Sequence, residues 1–581
     1  MKKNKQVFEF IIFTTYFILI YILFSDILSS NNIILDLGFK KIDFQNEDPF
    51  LWIKVKNVFH FSNIFLFSIF CIYTIIDLKR NGRKITKRVK NKEKKEKINI
   101  NLDSNKEINI NIGFSDTKKL ISMEKNALFQ NILVTGSIGS GKTQSAILPM
   151  TEQILKYKKE DDDEKIAALI LDVKGNFCES VEEICKGIGR YKDIIKIELN
   201  GKYKYNPLHK PNLKPQVIAN RLKTILMLLS PENSEMYWLD KAEQLISECI
   251  KFIRIYNKGY VNFDELSKVI FKEGYYLEKK AELRNNILKK KLNPEDIFNL
   301  KTFIEFFENE FLSLDERTSS IIKSEISRIT NIFVSDYEIN KTFCPTKEEI
   351  NFEGFEEMLK SGKIVVLNMN LSQNTILAKI IATYLKLDFQ SEVLTQLKYN
   401  KNIRISSFIC DEYQEYVTKT DANFYAQSRE AKCINIVSTQ SYTSLKNTLK
   451  DKEACEVIIQ NLLNKIWFRN DDSYTVESAI SQIGKVYKEK LSTTISENSN
   501  DSEYNYILKK FVSSKSNLSE SINKSKNLEN KFEVKDFTQN LKVFEAITFL
   551  TNKEIVTEKA YIIPYFLRKE FYERKRKYNK I

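Results

Sequence analysis

At 581 residues with 43% apolar side chains, the chain is too long for one ordinary core and too apolar for wholesale disorder. Its 91 Lys/Arg against 76 Asp/Glu give a net charge of +15, a balance that fits a polyanionic partner, either nucleic acid or an anionic lipid surface. Eight cysteines without a CxxC pair, with only His60 and His209 to supply imidazole, argue against a zinc site, and no disulfides are expected.

Two apolar runs open the chain, residues 8–28 (FEFIIFTTYFILIYILFSDIL) and 58–78 (VFHFSNIFLFSIFCIYTIIDL). Each has about the 20 residues a helix needs to cross a bilayer core. Lys2, Lys3 and Lys5 precede the first, and residues 79–97 after the second hold eleven Lys/Arg against two Glu. The positive-inside bias then places both termini in the cytoplasm and residues 29–57 outside. The basic run serves as a topology signal, and it also suits contact with anionic lipid or passing DNA.

The segment Asn131 to Thr135 (NILVT) reads as a buried strand and leads into GSIGSGKT, which fits G-x-x-x-x-G-K-[ST] at every position. Gly136, Ser137, Ile138, Gly139, Ser140 and Gly141 let the backbone wrap phosphates, with N–H groups and a helix N-terminus facing the negative oxygens. Lys142 is expected to reach the β- and γ-phosphates, and Thr143 to hold magnesium, so ATP and Mg2+ are the cofactors this motif predicts. The following helix contains Pro149 in its first turns.

Such a loop needs a strand ending in a carboxylate. Asp172 ends KIAALILD, and Asp411 with Glu412 ends RISSFICDE. The second is preferred: Asp411 is expected to orient the magnesium shell and Glu412 to polarise the attacking water, while Asp172 is expected at a neighbouring strand tip. The strand CINIVSTQ ends at Gln440, suited to sensing the γ-phosphate or orienting water. P-loop motors with an additional strand place such an element between those of the loop and the acidic pair. GKIVVLNMN (Gly362 to Asn370) reads as a further strand, followed by a helix near 375–394. Repeated strand–helix units imply an α/β fold with a mainly parallel sheet covered on both faces.

Between them, residues 212–345 show helical apolar spacing and no strand alternation, and read as an inserted all-α domain. Residues 490–530, rich in Ser and Asn, read as a long mobile insertion. The chain thus divides into a two-helix transmembrane hairpin (1–78), a basic linker (79–100), a nucleotide-binding domain in two parts (101–211 and 346–566) around the all-α domain, and a basic tail (567–581).

In order along the chain, the phosphate loop, LDVKGNF (Leu171 to Phe177), YNPL (Tyr205 to Leu208), MYWLDKAEQLI, ERTSSI (Glu316 to Ile321), DEYQ, AQSREAKCINIVSTQS and NLLNKIWFRNDD resemble the motif series of the conjugation and type IV secretion coupling proteins, the TraG/TraD-like family. The resemblance spans residues 1–480 and resumes weakly up to about 566. Asn176 stands where Glu is frequent, Tyr413 where Phe is usual after Asp-Glu, and Ala431 and Lys432 where a glycine is common. The resemblance implies a RecA-like P-loop ATPase domain and a homo-hexamer in a bacterial cell membrane. It also implies DNA binding without sequence preference, with a relaxase–DNA complex and the secretion channel as partners. It suggests Arg429 as an arginine finger acting across a subunit interface. The alternatives are an FtsK/SpoIIIE-like DNA translocase and a nucleotide-dependent docking receptor without motor activity.

Overall fold

Ile132–Thr135 is buried at every position, as are Ala167–Leu171, Ile364–Leu367, Ser406–Cys410, Cys433–Thr439 and Asn464–Phe468. Strands with no wet face belong in the middle of a parallel sheet covered on both sides, and that is where the computed structural model places them. It describes residues 34–36, 41–43, 107–172, 176–230, 235–288, 292–369, 371–399, 403–498, 503–505, 510–512 and 517–567.

The chain forms two units, residues 1–103 and 104–581. In the first, β1 (Ile34–Asp36) and β2 (Lys41–Asp43) pair antiparallel. Both predicted spans, the basic linker and the tail beyond residue 567 lie outside the described residues. Among the described residues, no helix is long and apolar enough to cross a membrane.

The second unit is built on an eleven-stranded sheet. Its parallel part runs β11 (Asn464–Phe468), β5 (Ile132–Thr135), β10 (Cys433–Thr439), β9 (Ser406–Cys410), β6 (Ala167–Leu171), β8 (Ile364–Leu367) and β7 (Ile194–Ile197). Four antiparallel strands complete the other edge: β16 (Glu545–Thr551), β17 (Ile555–Tyr561), β3 (Asn109–Ser115) and β4 (Leu120–Glu124). Side chains alternate between two cores. Ala167, Leu169 and Leu171 join one, while Ala168 and Ile170 join the other. The second core is closed by the helices Leu148–Lys156 and Asn176–Ile188.

Among the described residues of 212–345 the regular elements are helices, from Pro215–Leu229 through Met236–Tyr256 and Glu316–Val334 to Tyr337–Phe343. Its core runs without a break into the first core of the sheet. The helix expected near 375–394 is longer, Leu371–Tyr399, and packs between the two. At its middle, Asp388 is buried among Lys210 Nζ (2.5 Å), Arg221 Nη1 (2.6 Å) and the Tyr205 hydroxyl (3.0 Å), which ties the first lobe helix to the sheet.

The described residues within 490–530, read from the sequence as a long insertion, include paired strands. β12 (Lys485–Asn498) and β15 (Asn517–Asn530) pair antiparallel over fourteen residues, with β13 (Glu503–Asn505) and β14 (Lys510–Val512) forming a smaller pair between them. The β-branched Thr493, Thr494 and Ile495 favour extended backbone, a signal masked by the surrounding Ser and Asn.

Candidate functional site

Because β5, β9, β10, β6 and β11 are parallel, their carboxyl ends meet on one edge of the sheet, the usual place for a ligand crevice in such folds. β5 delivers Gly136 there, β9 delivers Asp411, β10 delivers Gln440, β6 delivers Asp172 and β11 delivers Arg469. β10 lies between β5 and β9, with Thr439 opposite Thr135 and Val437 opposite Cys410. This is the additional-strand arrangement expected from the motif order.

Residues 136–141 turn back on themselves before the helical turn Lys142–Ile147 begins. Ser137 N donates to Arg469 O at 2.8 Å, and Ser140 N donates to Ser137 O at 3.2 Å. Gly139 and Gly141 carry positive φ. Gly141 needs it twice over: at φ 100, a Cβ there would stand 2.5 Å from Phe544 Cδ1. The Lys142 ammonium points into the loop, donating to the carbonyls of Gly136 and Ser137. Ile138 is exposed at the loop tip. Lys142–Ile147 is a wide π-type turn that passes into the helix Leu148–Lys156, so Pro149 is accommodated where the backbone ladder is already loosened.

The hydroxyls of Ser140 and Thr135 are buried without a hydrogen-bond partner. Ser140 Oγ lies inside the loop, 2.8 Å from where a Cβ on Gly136 would be. Unused donors, an inward ammonium and a helix N-terminus suit a phosphate chain. The Thr143 hydroxyl donates to Asp411 Oδ2 at 2.6 Å, bringing together two hard oxygen ligands of the kind magnesium takes.

Glu412 adopts the left-handed region at φ 50 and starts the short helical turn Tyr413–Glu415. Its amide donates to Asp411 Oδ1 at 3.0 Å. Its carboxylate Oε2 accepts from Gln414 Nε2 at 2.7 Å and from Gln440 Nε2 at 3.2 Å. The acid at the end of β9 is thereby tied to the polar tip of β10. Gln414 is fixed in turn by the Thr439 hydroxyl, and the Gln440 carbonyl accepts from Asn470 Nδ2.

Asp172 sits beside Asp411 in the sheet edge, where Asp411 N donates to Leu171 O. Its Oδ2 accepts from Phe177 N at 3.0 Å, at the start of the helix Asn176–Ile188. Arg429 does not join the cradle of its own chain. It is exposed in the turn before β10, at the opposite end of that seven-residue strand from Gln440. That separation is on the order of 20 Å. Asp472 caps the helix Ser473–Ile483; despite its burial, bonds from Thr475 and Thr443 hold its pKa below the usual carboxylate value.

Sequence reading missed three contributors. Gln414 lies in the acidic motif but has a polar neighbour on each side in the sequence, so nothing marks it. Arg469, exposed at the end of β11, stands next to the loop through its backbone. Phe544 packs on Gly141 and donates its amide to Ser140 O at 3.2 Å. No local pattern announces it, because it lies about four hundred residues beyond the loop.

Fold and cradle together define a P-loop nucleotide-binding protein. Residues 117–279 match the profile of the type IV secretion-system coupling protein DNA-binding domain. Over those residues the chain resembles the type IV secretion coupling proteins, in keeping with its motif order. Comparison with curated proteins gave no match. Among solved structures, the unbound bacterial conjugative coupling protein TrwB lacking its N-terminal 70 residues aligns with a TM-score of 0.51 at 12% identity, over 78% of this chain and 88% of that one. TrwB with a non-hydrolysable GTP analogue, and TrwB with ADP and Mg2+, each align at a TM-score of 0.50 and 12% identity, over 76% of this chain and 87% of the other. At that identity the likeness speaks for the fold.

Proposed function

We propose that this chain is a membrane-anchored ATPase of a conjugative type IV secretion system, recruiting a relaxase–DNA substrate and driving its transfer into the channel. The observation that carries the reading is the closure of the phosphate loop onto the acidic strand, through Thr143 and Asp411, beside a Glu412 held by Gln440. The loop amides and Lys142 bind and orient the β- and γ-phosphates. Thr143 and Asp411 would hold Mg2+, which would supply positive charge against the phosphates. Glu412 takes the proton of the attacking water, and Gln440 fixes the carboxylate that does so. In this reading Arg429, exposed and away from its own cradle, acts on a neighbouring subunit of a homo-hexamer. The matched profile and the net charge of +15 support DNA binding, which would be phosphate-dominated and hence salt-sensitive.

Two variants test this in the full-length protein. Lys142→Ala is expected to abolish nucleotide binding, ATP hydrolysis and DNA transfer while leaving membrane fractionation unchanged. Glu412→Gln is expected to keep nucleotide binding but lower turnover by about 100-fold or more. Transfer that survives in Glu412→Gln with hydrolysis gone would make the protein a docking receptor. Normal transfer by Lys142→Ala would refute the proposal outright.

A further inference from the structure

Tyr413, the residue that departs from the Phe of the family pattern, follows Glu412 directly and is completely buried. Its hydroxyl donates to Asp421 Oδ2 at 2.5 Å. Asp421 has no exposed surface and also accepts from Lys386 Nζ at 2.6 Å, from Thr418 N at 2.9 Å and, at Oδ1, from Gln390 Nε2 at 2.9 Å. Lys386, equally buried, directs its ammonium to Tyr416 O (2.6 Å), Thr418 Oγ1 (2.9 Å) and Asp421. Three protons meet three acceptors, and every acceptor lies within residues 416–421, just downstream of Glu412.

A buried ion pair is weak evidence for stability, because apolar side chains of the same volume do as well. What this pair does supply is geometry. A left-handed glutamate is strained and persists only where its surroundings over-determine it. Here one end of the turn is held by the Glu412 carboxylate on Gln414 and Gln440, and the other by the Asp421–Lys386 pair. Tyr413 joins the two. Its backbone continues from Glu412 and its hydroxyl reaches the ion pair. Phenylalanine would fill the same space but lose the bond from the residue next to Glu412, leaving the turn fastened to the pair only further along, through Tyr416 and Thr418. Gln390 and Lys386 both project from the helix Leu371–Tyr399, so the anchor point is on a long rigid element.

We infer that the Tyr413 hydroxyl, bonded to the Asp421–Lys386 pair, is a positioning group that holds Glu412 where it can polarise the attacking water. The inference rests on the reading of Glu412 as the acid for ATP hydrolysis, and its test separates the two. Steady-state ATP hydrolysis and Mg–nucleotide affinity are measured on the full-length protein, on Tyr413→Phe and on Tyr384→Phe. Tyr384 is a fully buried tyrosine on the same helix as Lys386, and its hydroxyl bonds Pro207 O, away from Glu412. Tyr413→Phe is expected to lower kcat about tenfold, with KM and nucleotide affinity within about twofold of wild type. Tyr384→Phe is expected to leave kcat within about twofold.

A Tyr413→Phe enzyme with wild-type kcat overturns the inference while the ATPase reading stands. So does an equal loss in both variants, or a loss in which KM and affinity worsen in step with kcat, since those are the marks of general loosening. Full turnover in Glu412→Gln overturns the reading of Glu412 as the acid, and no turnover in wild type overturns the ATPase reading; either result takes this inference with it.

Discussion

Replacing Asp388 with Asn should loosen the helical lobe from the sheet. Asp388 is 1% exposed, and the two cations on it, Lys210 and Arg221, are 8% and 6% exposed at their side chains. Burial alone would raise its pKa, but Lys210 and Arg221 outweigh that and the net shift is downward. The amide keeps the shape and removes the charge, leaving an ammonium and a guanidinium buried without the carboxylate they touch; Arg221 Nη2 already lacks a partner. Breaking such a group by removing one member costs about 3–5 kcal/mol. That is a large share of the roughly 5–15 kcal/mol that stabilises a typical domain. With a urea slope of about 3 kcal/mol/M for a unit of this size, the midpoint should move down by roughly 1–2 M. The assay is urea unfolding followed by fluorescence of Trp238 in the lobe and Trp467 in the sheet, with Trp52 replaced by Phe in every sample. The lobe signal should shift more than the sheet signal. Changing Lys210, Arg221 and Asp388 together to Met, Met and Leu should restore most of the loss. The pH dependence has a definite sign. A lowered carboxylate pKa contributes stability that is complete above the unfolded value near 4 and is lost as pH falls through the folded value, and Asp388→Asn should lack that acid limb. A midpoint within about 0.3 M of wild type would refute the claim that this cluster fastens the lobe.

Gly141→Ala should weaken fluorescent-nucleotide binding by at least about tenfold, because left-handed backbone costs an L-residue about 1–2 kcal/mol and the new methyl meets Phe544. Adding Phe544→Ala should recover part of the affinity and not all of it. Lys465 is fully buried, capping the helix Lys452–Asn461 through the carbonyls of Ile459 and Leu462, and burial lowers its pKa to about 7. The unfolded chain therefore holds the extra proton between about pH 7 and 10, so stability should rise with pH there, by about 2 kcal/mol from pH 7 to 9. Lys465→Met should flatten that slope in thermal melts taken across the range.

What the sequence discloses is what its neighbours along the chain can encode. The phosphate loop is eight consecutive residues between a strand and a helix, and Asp411 and Glu412 mark themselves by ending an apolar run. Gln440 is legible for the same reason, and the order of β5, β10 and β9 follows from the class of motor the motifs resemble. Tyr413 stands out as a departure, but its partners do not: Lys386 and Asp421 look like ordinary charges on helices until the turn brings them together. The Asp388 cluster draws on residues 205, 210, 221 and 388, separations that no periodicity reports. The ribbon of β12 and β15 is obscured because its composition resembles that of a linker while its β-branched residues are few.

The pairing of β17 with β3, and of β16 with β11, has a consequence for how the protein is made. The loop at Gly141 leaves the ribosome long before Phe544 exists to press on it. At synthesis rates of about 5–20 residues per second the wait is on the order of a minute. Throughout that time β3 presents a bare edge, and in its last part so does β11, in a nascent chain with strongly non-local contacts, the circumstance in which strands find wrong partners. Chaperone dependence, and a sharp loss of soluble yield when the β16–β17 hairpin is deleted, are what such a late closure entails.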